Sequence, residues 1–133
     1  YYSNGKKLDA VISPFDGISY GIAAALEGAG YQVGTNWPII TGQDAELMAT
    51  KNIISGKQTM TVFKDTRILA DKCVMMVQAV LEGKDPEIND TKSYDNHKLI
   101  VPSYLCTPVA VDKDNYQKEL VDSNYYKAAD LGL

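Results

Sequence analysis

The stretch W-P-I-I-T-G-Q-D-A-E at residues 37–46, a helical interval after it, and then G-K-Q-T-M-T-V-F-K-D at residues 56–65 decide the fold. Two short apolar runs, Ile39-Ile40-Thr41 and residues 59–63, stop abruptly at hydrophilic pairs, Gln43-Asp44 and Lys64-Asp65. Such runs suit buried strands and are too short for helices. In an open parallel sheet the two pairs stand at carboxyl ends of strands, where such sheets bind ligands.

Working outward, residues 8–13 form another short apolar run, closed by Pro14, and are expected as the first strand. Residues 17–29 follow with Ile18, Ile22, Ala25 and Leu26 at the spacing of a helix lying on a sheet, and Gly28 and Gly30 supply the stop. Asp16 stands where an N-cap belongs. Residues 38–42 are the second strand and residues 45–55 the second helix, with Leu47, Met48, Lys51 and Ile54 on one face and Gly56 just past its end. Residues 59–63 are the third strand. Residues 66–82 are the longest helix, apolar at Leu69, Cys73, Met76, Val77, Val80 and Leu81. Three strand–helix units in succession predict an α/β fold with a parallel sheet.

After Gly83 the pattern changes. Residues 84–98 are polar and read as an extended loop. Residues 99–101 and 104–111 are strand-like but carry Pro102 and Pro108 nearby, which confines them to an edge or a linker. Residues 114–120 suggest one or two helical turns, and Tyr125-Tyr126 are expected to pack by their rings.

The composition is that of an ordinary globular chain: 133 residues, 45% hydrophobic and 23% charged, with net charge −4 and 13 scattered basic residues. No basic stripe tracks a phosphate backbone, so nucleic acid and anionic membrane are not expected partners. No apolar run approaches the roughly 18 to 20 residues of a membrane-spanning helix. The chain opens on Tyr1-Tyr2-Ser3 and reads as a trimmed end. Cys73 and Cys106 lack metal-ligand spacing and are expected as buried free thiols. Asn89-Asp90-Thr91 fits the glycosylation pattern, which is too short to carry weight.

Three strand exits carry Phe15-Asp16, Gln43-Asp44 and Lys64-Asp65. Parallel neighbours lie about 4.8 Å apart, so groups at successive exits can converge on one small ligand. Any single Asp there serves equally as a helix cap, but a cap explains neither Phe15 nor Lys64. A carboxylate, an ammonium and a ring face together suit a neutral sugar: the first two bond hydroxyls and the ring covers the C–H face. Charge-assisted bonds contribute about 1.5 to 3 kcal/mol each. Micromolar affinity, near −8 kcal/mol, then calls for a second surface sharing the ligand.

Enzyme classes fit less well. A receiver-type phosphoacceptor and an Asp-x-Asp phosphotransferase both need paired acids after the first strand, and only Asp16 is there. His97 lies in a polar loop and no Ser sits in a G-x-S-x-G elbow, so a hydrolytic triad has no members. Gly28-Ala29-Gly30 closes a helix instead of following a strand, so it is no dinucleotide fingerprint. No cofactor or metal is expected.

Ser-Pro-Phe-Asp-Gly at 13–17, Thr-Gly-Gln-Asp-Ala-Glu at 41–46, Gln-Thr-Met-Thr-Val-Phe-Lys-Asp at 58–65, Val-Pro-Ser-Tyr-Leu at 101–105 and Thr-Pro-Val at 107–109 resemble the carboxyl-terminal part of periplasmic sugar-binding proteins. The xylose-binding and multiple-monosaccharide-binding proteins that feed ABC importers are the nearest in look. The resemblance implies a Rossmann-like parallel sheet with helices on both faces, the carboxyl-terminal lobe of a type I periplasmic binding protein. It implies a two-lobed, non-enzymatic binder of an aldose such as xylose, glucose, galactose or arabinose, outside the cytoplasm, in a periplasm or as a cell-surface lipoprotein, and an ABC permease as partner. An alternative is a sugar-sensing ectodomain that engages a sensor kinase or chemoreceptor.

Carried over residue by residue, the resemblance assigns sugar contacts to Asp44 and Lys64. Where the family often has Asn before Asp, this chain has Phe15, a ring face in place of an amide, and Asp16 beside it is expected first as the helix cap and second as a contact. Residues 1–83 would be the sugar-binding part of the lobe and residues 84–133 the hinge-crossing segment and tail. The amino-terminal lobe would precede residue 1, leaving the chain to be completed by that part or by an exchanged dimer partner.

Overall fold

Strand β1 (Ala10–Val11) pairs in parallel with β2 (Ile39–Ile40), placing Ala10 opposite Ile39 and Val11 opposite Ile40. The computed structural model that shows this describes residues 6–133; the Tyr1-Tyr2-Ser3 terminus lies outside the described residues. The parallel ladder continues past β2, because Thr59 N–H donates to Ile40 O at 2.9 Å, Val62 N–H to Gly42 O at 3.1 Å and Asp44 N–H to Val62 O at 2.9 Å. These bonds join β2 and its exit to β3 (Met60–Phe63), which pairs antiparallel with β4 (Val109–Asp112) from Met60 opposite Asp112 to Phe63 opposite Val109. The fold is therefore α/β with parallel strands and one antiparallel strand added. Pro108 sits just before that added strand, where its missing donor is tolerated.

The helices form where the periodicity places them, but two of them turn a different face inward. Helix α1 (Asp16–Gly28) buries Asp16, Ser19, Ala23 and Leu26 and leaves Ile18 exposed. The reason is polar: Ser19 Oγ lies 2.8 Å from Thr41 O and 2.9 Å from Ser13 Oγ, so a short hydroxyl occupies the seam against the strand exits. Helix α2 (Leu47–Ile54) buries Ala49, Thr50 and Ile53, whereas Met48 of the expected face is exposed. Two small side chains, Ala49 and Thr50, are thus buried beside Ile53, and Met48 is left outside.

Packing divides the chain into two units, one of residues up to 63 together with 109–133, the other of residues 64–108. The first holds the core, in which Ala45, Phe63, Val111 and Leu120 are buried with Val109, Tyr116, Tyr125 and Tyr126 against them. The tail does pack by its rings: Phe63 meets Tyr125 edge-on at 4.7 Å and Tyr125 meets Tyr126 at 5.0 Å. Leu120 comes from a π-helical turn (Gln117–Asp122), which stands where one or two ordinary turns are expected, and a short α4 (Ala128–Leu131) follows it.

The second unit contains α3 (Thr66–Leu81), capped by Asp65, whose side chain accepts from Arg67 N–H at 2.9 Å. This helix buries none of its residues. The strand-like residues 99–101 and 104–108 form no strand; isolated antiparallel bridges link Asp90 to Ser103 and Asp95 to Ile100 instead. Asn89 uses both ends of its amide on Leu105, donating to its carbonyl at 3.1 Å and accepting from its N–H at 2.8 Å. Lys72 pairs with Glu87 at 2.7 Å and lies 4.2 Å from the Tyr104 ring centre, fastening the loop to the helix. Neither thiol is buried: Cys73 on α3 is exposed and Cys106 half-buried, both free.

At the centre of the first unit is Asp16. It does not cap α1; Phe15 is the N-cap residue and makes no side-chain cap bond. The Asp16 carboxylate is fully buried and accepts from Gln58 Nε2 at 2.8 Å, Thr61 Oγ1 at 2.9 Å and Glu46 N–H at 2.9 Å. It thereby joins the start of α1 to the entry of α2 and to β3. Gln58 Oε1 is buried without a bond. Gly42 is required beside this cluster, since a Cβ there would lie 2.1 Å from Asp16 Oδ1 and 2.3 Å from Gln58 Nε2. Gly42→Ala in the full-length protein is therefore expected to destabilise by about 1 to 3 kcal/mol or more, read as a lower denaturant midpoint at unchanged slope.

Burial pushes the Asp16 carboxyl above its usual range, outweighing the bonds from Gln58, Glu46 and Thr61 that favour its charge; the nearby Glu46 carboxylate adds to the rise. A folded-state value above the unfolded one means that folding takes up a proton. The resulting stability is fully present below the ordinary Asp value of about 3.9 and is lost as pH rises through the raised folded value. Non-titrating Asp16→Asn provides the reference. The stability difference in favour of the wild type should grow as pH is lowered from 7 toward about 4; denaturation curves giving a difference flat in pH would show that Asp16 titrates normally.

Candidate functional site

The carboxyl ends of β1 and β2 are fastened to one another. Ser13 N–H donates to Thr41 Oγ1 at 2.8 Å, Thr41 Oγ1 donates back to Ser13 O at 3.1 Å, and Asp16 N–H donates to Gln43 O at 3.0 Å. Thr41 thus closes a reciprocal pair across the two strand exits. Phe15 and Asp44, both expected at the ligand edge, follow these two exits and are both exposed, Phe15 by 40%.

Asp44 and Ala45 carry φ of 99° and 51°, the left-handed region that L residues avoid. Two consecutive non-glycine residues in that region cost on the order of 1 to 3 kcal/mol each and persist only where the surroundings over-determine them. The surroundings here do so. Asp44 N–H donates to Val62 O at 2.9 Å, Ala45 N–H to Thr61 Oγ1 at 3.1 Å, Glu46 N–H to Asp16 Oδ2 at 2.9 Å, and Ala45 O accepts from Tyr126 OH at 2.9 Å. Tyr20 OH donates to Glu46 Oε2 at 2.7 Å. The backbone on both sides of Asp44 is fixed by these bonds, and Asp44 itself is exposed.

Two of the anchoring groups are held in their donor form. Burial, with the carboxylates of Glu46 and Asp16 adding to it, raises the Tyr20 phenol well above its ordinary range. The Tyr126 phenol is pushed up to about 12, chiefly by burial. Both remain protonated donors at any physiological pH.

Lys64, the third expected contact, immediately follows β3, is half-buried and begins the second unit. Within that unit it lines a cavity of about 680 Å³ with Asn89, Tyr94 and Tyr104 among its walls. Phe15 and Asp44 are thus brought to one edge of one unit, and Lys64 belongs to the other. Asp16, the secondary candidate, has both carboxylate oxygens occupied by protein donors. The sequence reading did not single out Gln58, Thr61, Tyr20 or Tyr126 as supports of the turn. A Thr at an inward strand position and a Gln before a strand carry the same signature as solvent-facing residues, so no periodicity betrays them.

The geometry can be set beside known proteins. The family described as "periplasmic binding protein domain" matches residues 1–85. The multiple sugar-binding periplasmic receptor ChvE of Rhizobium radiobacter is 56% identical over 132 residues, covering 98% of this chain and 37% of that protein. The D-xylose-binding periplasmic protein of Escherichia coli is 33% identical over 129 residues, covering 97% of the chain and 38% of that protein. Among solved structures, an ABC transporter solute binding protein from Clostridium phytofermentans with bound β-D-glucose superposes with a TM-score of 0.88 at 50% identity, over 98% of this chain and 40% of that one. The chain spans somewhat more than a third of the length of the curated relatives it matches. With the family matched over most of its length and the strand exits built as described, the chain belongs to the periplasmic binding protein family.

Proposed function

We propose that this chain supplies one jaw of a solute-binding protein that clamps an aldose and delivers it to an ABC permease outside the cytoplasm, binding the sugar without transforming it. The observation that carries the reading is the strained Asp44-Ala45 turn at the carboxyl end of β2, which leaves Asp44 exposed at the strand exit next to the one that carries Phe15. In this reading Asp44 accepts from sugar hydroxyls and Phe15 covers a C–H face. Asp16 acts behind them as the buried support. The names of the relatives, multiple-sugar and xylose binders, and the glucose in the Clostridium phytofermentans structure favour a neutral monosaccharide.

The opposing jaw, in this reading, is the part of the protein that the chain does not span. Support comes from the second unit, because among the described residues every buried apolar side chain belongs to the first. On α3, Ile68, Val74, Met75, Val77, Val80 and Leu81 are all exposed. An apolar surface of this kind marks an interaction site or an aggregation liability.

Two measurements test the proposal. Asp44→Ala in the full-length protein should weaken D-glucose or D-xylose binding by about 10- to 100-fold, the loss of about 1.5 to 3 kcal/mol in charge-assisted bonds; unchanged calorimetric affinity for every aldose tried removes Asp44 from the site. The 133-residue chain expressed by itself should bind an apolar dye such as ANS and melt without a sharp transition, and the full-length protein should do neither. A monodisperse, cooperatively melting monomer of the chain alone would show that its apolar surface needs no cover.

A further inference from the structure

Phe15 leaves the backbone in an unusual situation, because the residue two places on has no side chain and the ring occupies the room. Phe15 is extended, with φ −162° and ψ 164°, and its carbonyl accepts from Ser19 N–H at 3.3 Å and Ser13 Oγ at 3.0 Å. Its backbone is therefore held, and only the side-chain torsions are left to choose where the ring goes. The ring lies back over the first turn of α1. A Cβ built on Gly17 would stand 2.5 Å from Phe15 Cε2 and 3.3 Å from Cδ2 and Cζ. Real Cβ atoms do not come within 3.0 Å of another heavy atom, so ring and Cβ cannot share this space.

We infer that Gly17 is a positioning residue for the Phe15 ring: its missing side chain lets the ring pack on the helix backbone by one side and keep the other open to the ligand. The inference rests on the reading of Phe15 as a sugar contact. Gly17 is the second residue of α1, in its first turn, and has no positive φ that would call for a glycine there. Backbone movement cannot relieve the crowding that a Cβ would cause. The neighbouring Asp16 is fully buried with its carboxylate bonded to Gln58, Thr61 and Glu46, and its N–H is bonded to Gln43 O. The half-exposed ring is the part that is free to give. A Cβ at position 17 therefore swings the ring to another rotamer and leaves the fold intact.

The test is a double-variant cycle on the full-length protein, with calorimetric titration of D-glucose and D-xylose and thermal melting in parallel. Phe15→Ala and Gly17→Ala should each weaken binding by about 2- to 10-fold, the worth of one aromatic contact. The double variant Phe15→Ala/Gly17→Ala should bind no worse than Phe15→Ala alone, because without a ring nothing remains for Gly17 to position. Gly17→Ala should melt no lower than the wild type. If Phe15→Ala leaves affinity unchanged, the ring is no contact and the reading beneath this inference fails. If Phe15→Ala weakens binding and Gly17→Ala does not, the contact stands and the positioning role is overturned. If the two losses multiply in the double variant, Gly17 acts independently of the ring and the inference is again overturned, whatever the melting temperatures.

Discussion

A fully buried carboxylate, that of Asp16, is the constraint on which the carboxyl ends of β1 and β2 depend. It accepts from a side-chain amide before β3, a hydroxyl within β3 and a backbone amide at the entry of α2. Removing a charge from water is costly unless hydrogen bonds replace its hydration, and here three donors do so. Burial still outweighs those bonds and holds the carboxyl above its usual range. What the burial achieves is placement. The residue before Asp16 is Phe15, and the residue whose amide it takes, Glu46, closes the Asp44-Ala45 turn. One side chain thereby fixes the backbone behind both exposed candidate contacts.

The sequence made the order of elements legible and left their inward faces partly hidden. Apolar runs cut by polar pairs marked β1, β2 and β3, and glycines marked the ends of α1, α2 and α3. Asp16 was misread because a carboxylate after a strand looks the same whether it caps the helix it begins or supports its neighbours. The inward face of α1 was misread for a related reason: Ser19 scores as a surface residue, yet its hydroxyl bonds Thr41 O in the seam. On α2, Ala49 and Thr50 are fully buried although hydropathy ranks them below the exposed Met48. Periodicity finds large apolar stripes, and the inward faces of these helices mix small and polar residues with Leu26 and Ile53.

Helix α3 shows the converse. Its stripe was visible and its helix is formed, but none of its side chains is buried. A hydropathy pattern states that a face should be covered without saying by what. The same limit applies to Lys64: a strand exit seen in sequence fixes its place after Phe63, and the packing assigns it to the second unit with α3. Chain order alone therefore located two of the three expected contacts on one unit.

Burial in the core, in spite of backbone strain, explains why an alanine and not a glycine follows Asp44. Glycine would adopt a φ of 51° freely, whereas Ala45 does so at a cost on the order of 1 kcal/mol or more. Its methyl, however, is fully buried in the core with Phe63, Val111 and Leu120. Hydrogen bonds on both sides of it, each worth about 0.5 to 1.5 kcal/mol net, are of the same size as the strain they oppose. The methyl plug and the bonds together hold the turn in one conformation before any ligand arrives. Ordering a mobile side chain or loop costs binding about 0.5 to 1.5 kcal/mol per group, and a turn that folding has already fixed spares the ligand that cost. The core of the first unit and the turn at the exit of β2 are in this sense one device: the same alanine that fills the first fixes the backbone of the second.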